Sequence, residues 1–246
     1  MDEHAFAVEA KVEATHWWFV GRRRLFAREI NRLGLDRTAR VLDIGTSTGT
    51  NLRMLRDLGF VNVEGLDPSE AARQWCLDKN LGEVTQGDVR QMPFDNGTFD
   101  LVLATDVLEH VDEDDVAVKE ITRVLKPGGR ALVTVPTFKL LWGIQDDLAH
   151  HYRRYRKGQL LALLKQGGLR STRAYYFNYV LFLPILIARR ILRTFSREKR
   201  SENEINGPMI NRILTFVFRV DIATSPFLRP PMGVSALVVA EREMSS

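Results

Sequence analysis

The sequence predicts an α/β fold on a doubly wound parallel sheet, and three observations predict it. The apolar run Val41-Leu42-Asp43-Ile44 stops at Gly45, turns, and restarts as a helix beyond Gly49. Short apolar runs then alternate with stretches of helical periodicity, the βαβα order of a parallel sheet. Asp43, Asp67 and Asp88 stand at or near the carboxyl ends of successive runs, where an open α/β sheet forms its ligand crevice.

Taken in order, Ala5 to Leu33 reads as helical, with Leu25, Phe26, Ile30 and Leu33 on one face and Gly34 as the stop. His16-Trp17-Trp18-Phe19 interrupts its amphipathic pattern. Consecutive aromatics cannot share one helix face, so the reading is either a core cap or contact with a partner, a ligand pocket or a membrane interface. Gly45 and Gly49 permit a tight turn close to a ligand, and Leu52, Leu55 and Leu58 bury the next helix, which Gly59 ends. Val61 to Leu66 is a second strand leading to Asp67-Pro68-Ser69, and Asp67 serves as a helix N-cap, a ribose acceptor, or both. Glu83 to Gly87 is a third strand ending in Asp88, and Phe99 to Ala104 a fourth, leaving through Thr105-Asp106-Val107-Leu108-Glu109-His110-Val111. A helix from Asp112 carries Ala117, Ile121, Val124 and Leu125 on its buried stripe and ends at Lys126-Pro127-Gly128-Gly129. Ala131 to Val135, Gly158 to Gln166 and Ser171 to Tyr176 read as strand, helix and strand.

The pattern breaks at Tyr179. Tyr179 to Ala188 is apolar but too short to span a bilayer, which needs about 20 residues. Arg189, Arg190, Arg193, Arg197, Lys199 and Arg200 follow it, so the block suits a membrane surface, a dimer interface or a lid over the site. Ser196 to Gly207 reads as a polar linker, Ile210 to Val217 as a helix, Pro226, Pro230 and Pro231 as breakers, and Val234 to Ala240 as the last strand.

The whole is expected to be one domain, with a helical cap over 1–36, a core over 37–178, a helical insertion over 179–233 and a final strand over 234–242. With 45% hydrophobic and 27% charged residues in 246, neither wholesale disorder nor a polytopic membrane protein is indicated. The net charge of +4 is compatible with an anionic ligand or membrane and selects neither. One cysteine, Cys76, allows no internal disulfide, and residues 1–16 lack the apolar run of a secretory leader. A cytoplasmic protein, peripheral at the inner membrane face, is the expectation.

Five ordered signatures resemble the class I S-adenosylmethionine-dependent methyltransferases, and within them the quinone-biosynthesis-like small-molecule group. They are the Val41 to Gly49 turn, Gly65-Leu66-Asp67-Pro68-Ser69, Gly87-Asp88 with Met92-Pro93-Phe94 and Phe99-Asp100, Leu108-Glu109-His110-Val111, and Leu125-Lys126-Pro127-Gly128-Gly129. The resemblance implies a Rossmann-like sheet of seven strands with the last antiparallel. It implies that Asp43, Gly45, Thr46, Ser47 and Gly49 hold the methionine portion of S-adenosyl-L-methionine, that Asp67, beside Pro68, accepts the ribose hydroxyls, and that Asp88 and Val89 meet the adenine. Thr105 would line the pocket. Ser47 departs from the pattern, since the family usually has glycine there.

Methyl transfer from a sulfonium needs alignment and, for some acceptors, removal of one proton. His16, His110, His150 and His151 are candidate proton acceptors, of which His151 and His110 are preferred. Trp142 to Tyr155 follows the fifth strand, and Trp142, His150, Arg153 and Arg154 are candidate substrate residues, the arginines pairing an anionic group or the acids of their own stretch. Asp147 with His151, and Asp146 with His150, have the spacing of a helical metal site, but with no further ligand cluster no metal is expected. The acceptor is expected to be a small, amphipathic or lipid-linked molecule, with an anionic membrane surface or a second copy as partner. A non-catalytic S-adenosylmethionine-binding module is the alternative. A nicotinamide-dependent oxidoreductase fits worse, because its glycine fingerprint would fall on Gly45, Ser47 and Thr50. No nucleic-acid-binding motif accompanies the basic clusters.

Overall fold

The computed structural model describes residues 9–195 and 207–244. Seven strands form one sheet: β1 (Arg40–Ile44), β2 (Asn62–Asp67), β3 (Val84–Gln86), β4 (Phe99–Thr105), β5 (Leu125–Pro136), β6 (Leu169–Phe177) and β7 (Ser235–Arg242), in the order β3-β2-β1-β4-β5-β7-β6. β7 runs antiparallel to both of its neighbours, whereas β1 to β5 pair in parallel. β1 is paired on one side with β2 and on the other with β4, which makes its carboxyl end the point where the winding reverses. A strand so placed has both faces covered, and Val41, Leu42, Asp43 and Ile44 are all buried.

The helices are α1 (Trp17–Arg32), α2 (Thr50–Asp57), α3 (Glu70–Asp78), α4 (Asp114–Val124), α5 (Ile144–Leu148), α6 (Lys157–Gln166), α7 (Phe182–Phe195) and α8 (Pro208–Leu228). Ile121, Leu160 and Leu164 help fill the core on one face of the sheet. Phe26, Ile30, Leu52, Leu55 and Phe218 help fill the other. α8 is joined to the sheet by a buried carboxylate. Asp221 accepts hydrogen bonds from the Asn178 and Val180 amides at 2.7 and 2.9 Å, so the exit of β6 and the start of α7 hang on one side chain of α8.

Several boundaries differ from the sequence reading. The first helix is not continuous: residues 9–12 are helical, a turn follows, and α1 begins only after His16. His16 is extended, and its Nδ1 accepts the Trp18 amide, so the chain changes direction at the aromatic run. Lys126 to Gly129 does not separate helix from strand, because β5 starts at Leu125, directly after α4. Gly129 fits that crowded entry: a Cβ there would lie 2.8 Å from the Lys126 carbonyl. Pro226 does not break α8. Only Phe227 and Leu228 follow it, and Arg229 closes the helix with φ 46°, so the proline removes one hydrogen bond in the last turn. Of the expected linker only Gly207, the cap of α8, lies within the described residues.

The aromatic run packs inward. Trp17 lies edge-on to Phe218 at 5.3 Å between ring centres, and Trp18 stacks on Phe218 and Phe177 at 5.4 and 6.1 Å. α1 approaches Phe218 closely enough that only glycine fits at position 21, where a Cβ would stand 2.1 and 2.4 Å from ring carbons. Helix propensity favours Gly21→Ala by about 1 kcal/mol. The fully buried Phe218 ring has nowhere to retreat, so the variant is expected to lose about 1–3 kcal/mol in urea unfolding. A gain in stability would mean that α1 and α8 are not packed in this way.

Candidate active site

The loop after β1 is shaped by three residues of positive φ, Gly45 at 72°, Ser47 at 50° and Gly49 at 83°. Ser47 thus occupies a conformation that glycine adopts without cost. Its contacts offset the strain: the Ser47 amide donates to Asp67 Oδ2 at 3.0 Å, and its hydroxyl donates to Glu9 at 2.9 Å. Asp67 Oδ1 accepts the Ser69 amide at 2.9 Å. One carboxylate therefore ties the two strand-end loops together, and the cap of α3 is Ser69 and not Asp67.

Asp43 is fully buried at the end of β1. Its Oδ1 accepts from Asn51 Nδ2 at 2.9 Å, while Oδ2 has no hydrogen-bond partner among the described residues. Burial pushes its pKa up to about 7, against the Asn51 hydrogen bond, and the neighbouring Asp67 adds to the rise. Asn51 also donates to Thr105 Oγ1 at 3.0 Å, bridging the ends of β1 and β4. The sequence reading gave Asn51 no role.

Glu9 and Glu13 were not singled out by the sequence reading. Glu13 accepts a hydrogen bond from the Thr48 hydroxyl and pairs with Lys79 at 2.8 Å, and Lys79 also donates to the Thr48 carbonyl. Together with Glu9 on Ser47, these contacts lay the segment before α1 across the turn. Acidic residues in a polar leader carry no periodic signal, so nothing in the sequence pointed at the loop.

Gly45, Thr46, Ser47 and Thr105 line a cavity of about 530 Å³. Asp106, Glu109, His110 and His151 line it as well, with Trp18 and Phe19 of α1 and an aliphatic wall from Leu181, Pro184, Ile185, Ala188 and Leu214. Arg22, Arg154 and Arg189 also reach it. Arg22 pairs with Asp106 at 2.9 Å and lies over the Trp18 ring, so α1 closes the cavity against the loop after β4.

His110 and His151 meet edge to face with ring centres 4.5 Å apart. His151 Nδ1 bonds Asp146 Oδ1 at 2.8 Å. Asp146 is fully buried and also receives Arg154 through two bonds of 2.8 and 3.0 Å. Burial alone would raise its pKa, but the His151 and Arg154 hydrogen bonds hold it well below the usual carboxylate range. The pairing is i to i+5. It differs from the two i,i+4 pairs considered from sequence because α5 is only five residues long and the chain turns at His150, with φ 54°.

The structure brings some expected residues together and leaves others apart. Arg154 takes the acid of its own stretch, the second of the two expected roles. Arg153 turns away to Asp114 at 2.9 Å and to the Asp112 carbonyl. Trp142 donates to Asp147 at 2.8 Å, His150 is exposed, and Trp142, His150 and Arg153 do not line the cavity. Asp43, Gly49, Asp67, Pro68, Asp88 and Val89 are not among its lining residues, and Asp88 is exposed in a paired contact with Arg90. His16 is the cap of α1.

Residues 42–133 match the family model described as a methyltransferase domain. A malonyl-[acyl-carrier protein] O-methyltransferase of Enterobacter lignolyticus is 33% identical, over 66% of either chain. A ubiquinone/menaquinone biosynthesis C-methyltransferase of Pseudomonas putida is 34% identical over 49% of this chain and 52% of its own. Among solved structures, a Haemonchus contortus phosphoethanolamine N-methyltransferase in complex with S-adenosyl-L-methionine has the same fold, with a TM-score of 0.59 and 19% identity over 87% of this chain and 51% of that one. The chain spans from 28% to 66% of the length of the first curated relatives it matches.

The buried Asp43 makes stability depend on pH. An unfolded aspartate titrates near 3.9, so between about pH 4 and 7 the folded chain binds a proton that the unfolded chain has released, and stability falls as pH rises. In urea unfolding without added ligand, the wild type is expected to lose ground to Asp43→Asn across that interval and to run parallel above it. Parallel profiles throughout would mean that Asp43 is ionised in the folded chain.

Proposed function

The chain belongs to the class I S-adenosylmethionine-dependent methyltransferase family, and we propose that it transfers the methyl group of S-adenosyl-L-methionine to a small amphipathic or lipid-linked acceptor at an anionic membrane face. One observation carries this reading. A single cavity runs from the positive-φ turn after β1 to an aliphatic wall supplied by α7 and α8.

The residues at the turn suit the cofactor. The unpaired Asp43 oxygen is a buried acceptor matched to a cationic amine, which would neutralise a carboxyl group that burial otherwise protonates. Gly45 is required by its φ of 72° and by the Val107 side chain, which a Cβ there would meet at 2.8 Å. Asp67 would accept the ribose hydroxyls from its place beneath Ser47. Bound there, the sulfonium supplies an activated methyl group, and the chain's own work is positioning. Asp106 and Arg22 close the wall, the aromatic side chains of α1 exclude water, and His151, oriented by Asp146, could accept a proton from an acceptor hydroxyl.

The acceptor class follows from the outer surface of the same helices. Leu183, Ile187 and Ile191 form an exposed stripe at i, i+4 and i+8 on α7, and Met209, Ile210, Ile213 and Phe216 are exposed on α8. Arg190, Arg212, Arg219 and Arg229 are exposed beside them, and Asp221, the one carboxylate in residues 182–191 and 207–232, is buried. No helix among the described residues is long and apolar enough to cross a membrane. An apolar stripe flanked by arginines and free of exposed acids suits the surface of an anionic bilayer.

Two measurements test these halves separately. In isothermal titration, S-adenosyl-L-methionine is expected to bind the wild type, and Asp67→Ala to weaken it about 10-fold or more, the worth of a charge-assisted pair of hydrogen bonds. Unchanged affinity would remove Asp67 from the cofactor site. Co-sedimentation should recover the wild type with phosphatidylglycerol vesicles and leave Leu183→Glu/Ile187→Glu in the supernatant. Equal recovery of the two proteins would end the membrane half, and a concentration-dependent dimer lost in the variant would assign the stripe to a second copy instead.

A further inference from the structure

Beside the cofactor turn, Glu109 and His110 converge on the cavity without a function in the reading above, next to His151, which with an ion on its free nitrogen would hold the acceptor oxygen through that ion instead of taking its proton. Glu109 is fully buried, and neither of its carboxyl oxygens meets a hydrogen-bond partner on another residue among the described residues. Its ligand atom, one nitrogen of His110 and one of His151 all lie within 4.8 Å of one another. A carboxylate taken out of water without partners is costly, and its acid form leaves a buried hydroxyl unpaired. The arrangement calls for a cation.

Both imidazoles are already oriented. His151 Nδ1 is held by Asp146 at 2.8 Å, leaving Nε2 as the nitrogen on offer, and the His110 ring is set edge to face against it at 4.5 Å between ring centres. Metal-binding histidines are held by a carboxylate or carbonyl on the opposite nitrogen in the same way. Arg154 and the Gly143 amide fix Asp146 in turn, so the orienting carboxylate cannot swing into the group itself.

We propose that Glu109, His110 and His151 form a binding site for a divalent transition-metal ion in the acceptor cavity. Two imidazoles and one carboxylate favour zinc, or manganese, iron or cobalt of similar charge, over magnesium and calcium, which prefer all-oxygen sets. Ligands about 2.0–2.2 Å from one ion stand at most about 4.4 Å apart, so small side-chain movements close the set. Three protein ligands leave coordination positions open toward the cavity, and the chemical consequence concerns the acceptor. An ionisable oxygen, a phenol, enol or carboxyl, would occupy an open position and be held as its anion beside the cofactor turn. As that oxygen bonds to the methyl carbon, the carbon–sulfur bond breaks, the thioether leaves with the electron pair, and the proton displaced from the oxygen goes to solvent.

That last step rests on the methyl-transfer reading, whereas the metal site does not, and the test keeps them apart by omitting S-adenosyl-L-methionine. The full chain, stripped with a chelator, is titrated with Co²⁺ by visible absorption and with Zn²⁺ by calorimetry. One equivalent is expected to bind, with the ligand-field bands of a four- or five-coordinate ion, and Glu109→Gln, His110→Gln and His151→Gln are each expected to weaken it at least 10-fold. Asp147→Asn, which alters the side chain bonded to Trp142 outside the group, should bind as the wild type does. Circular dichroism establishes that each variant is folded. Absence of a saturable single equivalent in the wild type overturns the proposal, as do folded Glu109→Gln and His110→Gln proteins that bind as tightly as the wild type. Binding only of Mg²⁺, with no response to Zn²⁺ or Co²⁺, overturns the assignment to a transition metal.

Discussion

The structure turns on the reversal of winding at β1. Because β1 hydrogen-bonds to β2 on one side and β4 on the other, connections leave in opposite directions and a crevice opens at its carboxyl end. Asp43 stands at that gap with a buried, unpaired oxygen, a feature that costs stability unless a ligand completes it. Everything nearby manages the gap: Asn51 takes the other Asp43 oxygen and reaches Thr105, Asp67 takes the Ser47 amide, and the segment before α1 lies across the top. A carboxyl whose pKa is near 7 is the electrostatic record of that geometry.

The core was legible in the sequence because its signals are local. Val41, Leu42 and Ile44 announce a strand buried on both faces, Gly45 and Gly49 announce the turn, and Asp67 sits near the spacing of about 20 residues at which a second strand delivers an acid to the crevice. The family resemblance carried by the five ordered signatures also implied that the last strand would run antiparallel, as it does. Boundaries failed where tertiary contact overrides local preference. Lys126 to Gly129 reads as a break because proline and glycine end helices, yet Leu125 already pairs with Phe99, and the glycines serve a crowded strand entry. Pro226 reads as a breaker, yet it falls so near the end of α8 that the helix hardly registers it.

The acceptor side was much less legible, for a physical reason. Its contacts join residues far apart in the chain: Arg22 to Asp106, Asp146 to His151 across a reversal at His150, and Thr48 to Glu13. A spacing rule written for a regular helix picks the wrong partner when the helix lasts five residues, which is why Asp147, bonded to Trp142, was grouped with His151. Arginines mislead in the same way. Arg153 and Arg154 are neighbours in sequence and indistinguishable by composition, but one secures the start of α4 and the other the buried acid of the cavity wall.

α7 joins the two halves of the proposed activity because it has two apolar faces. Pro184, Ile185 and Ala188 line the cavity while Leu183, Ile187 and Ile191 are exposed, and the 14 residues of the helix are too few to span a bilayer. A helix of this kind is stable only where both faces have apolar neighbours. Phe138, Leu141 and Val234 provide the inner neighbour, and Asp221 holds the corner that leads into α7 by binding the Asn178 and Val180 amides. A lipid surface on the outer side would complete the environment of α7 and bring an amphipathic acceptor to the helix that walls the cavity. Substrate delivery and helix stability would then rest on the same surface.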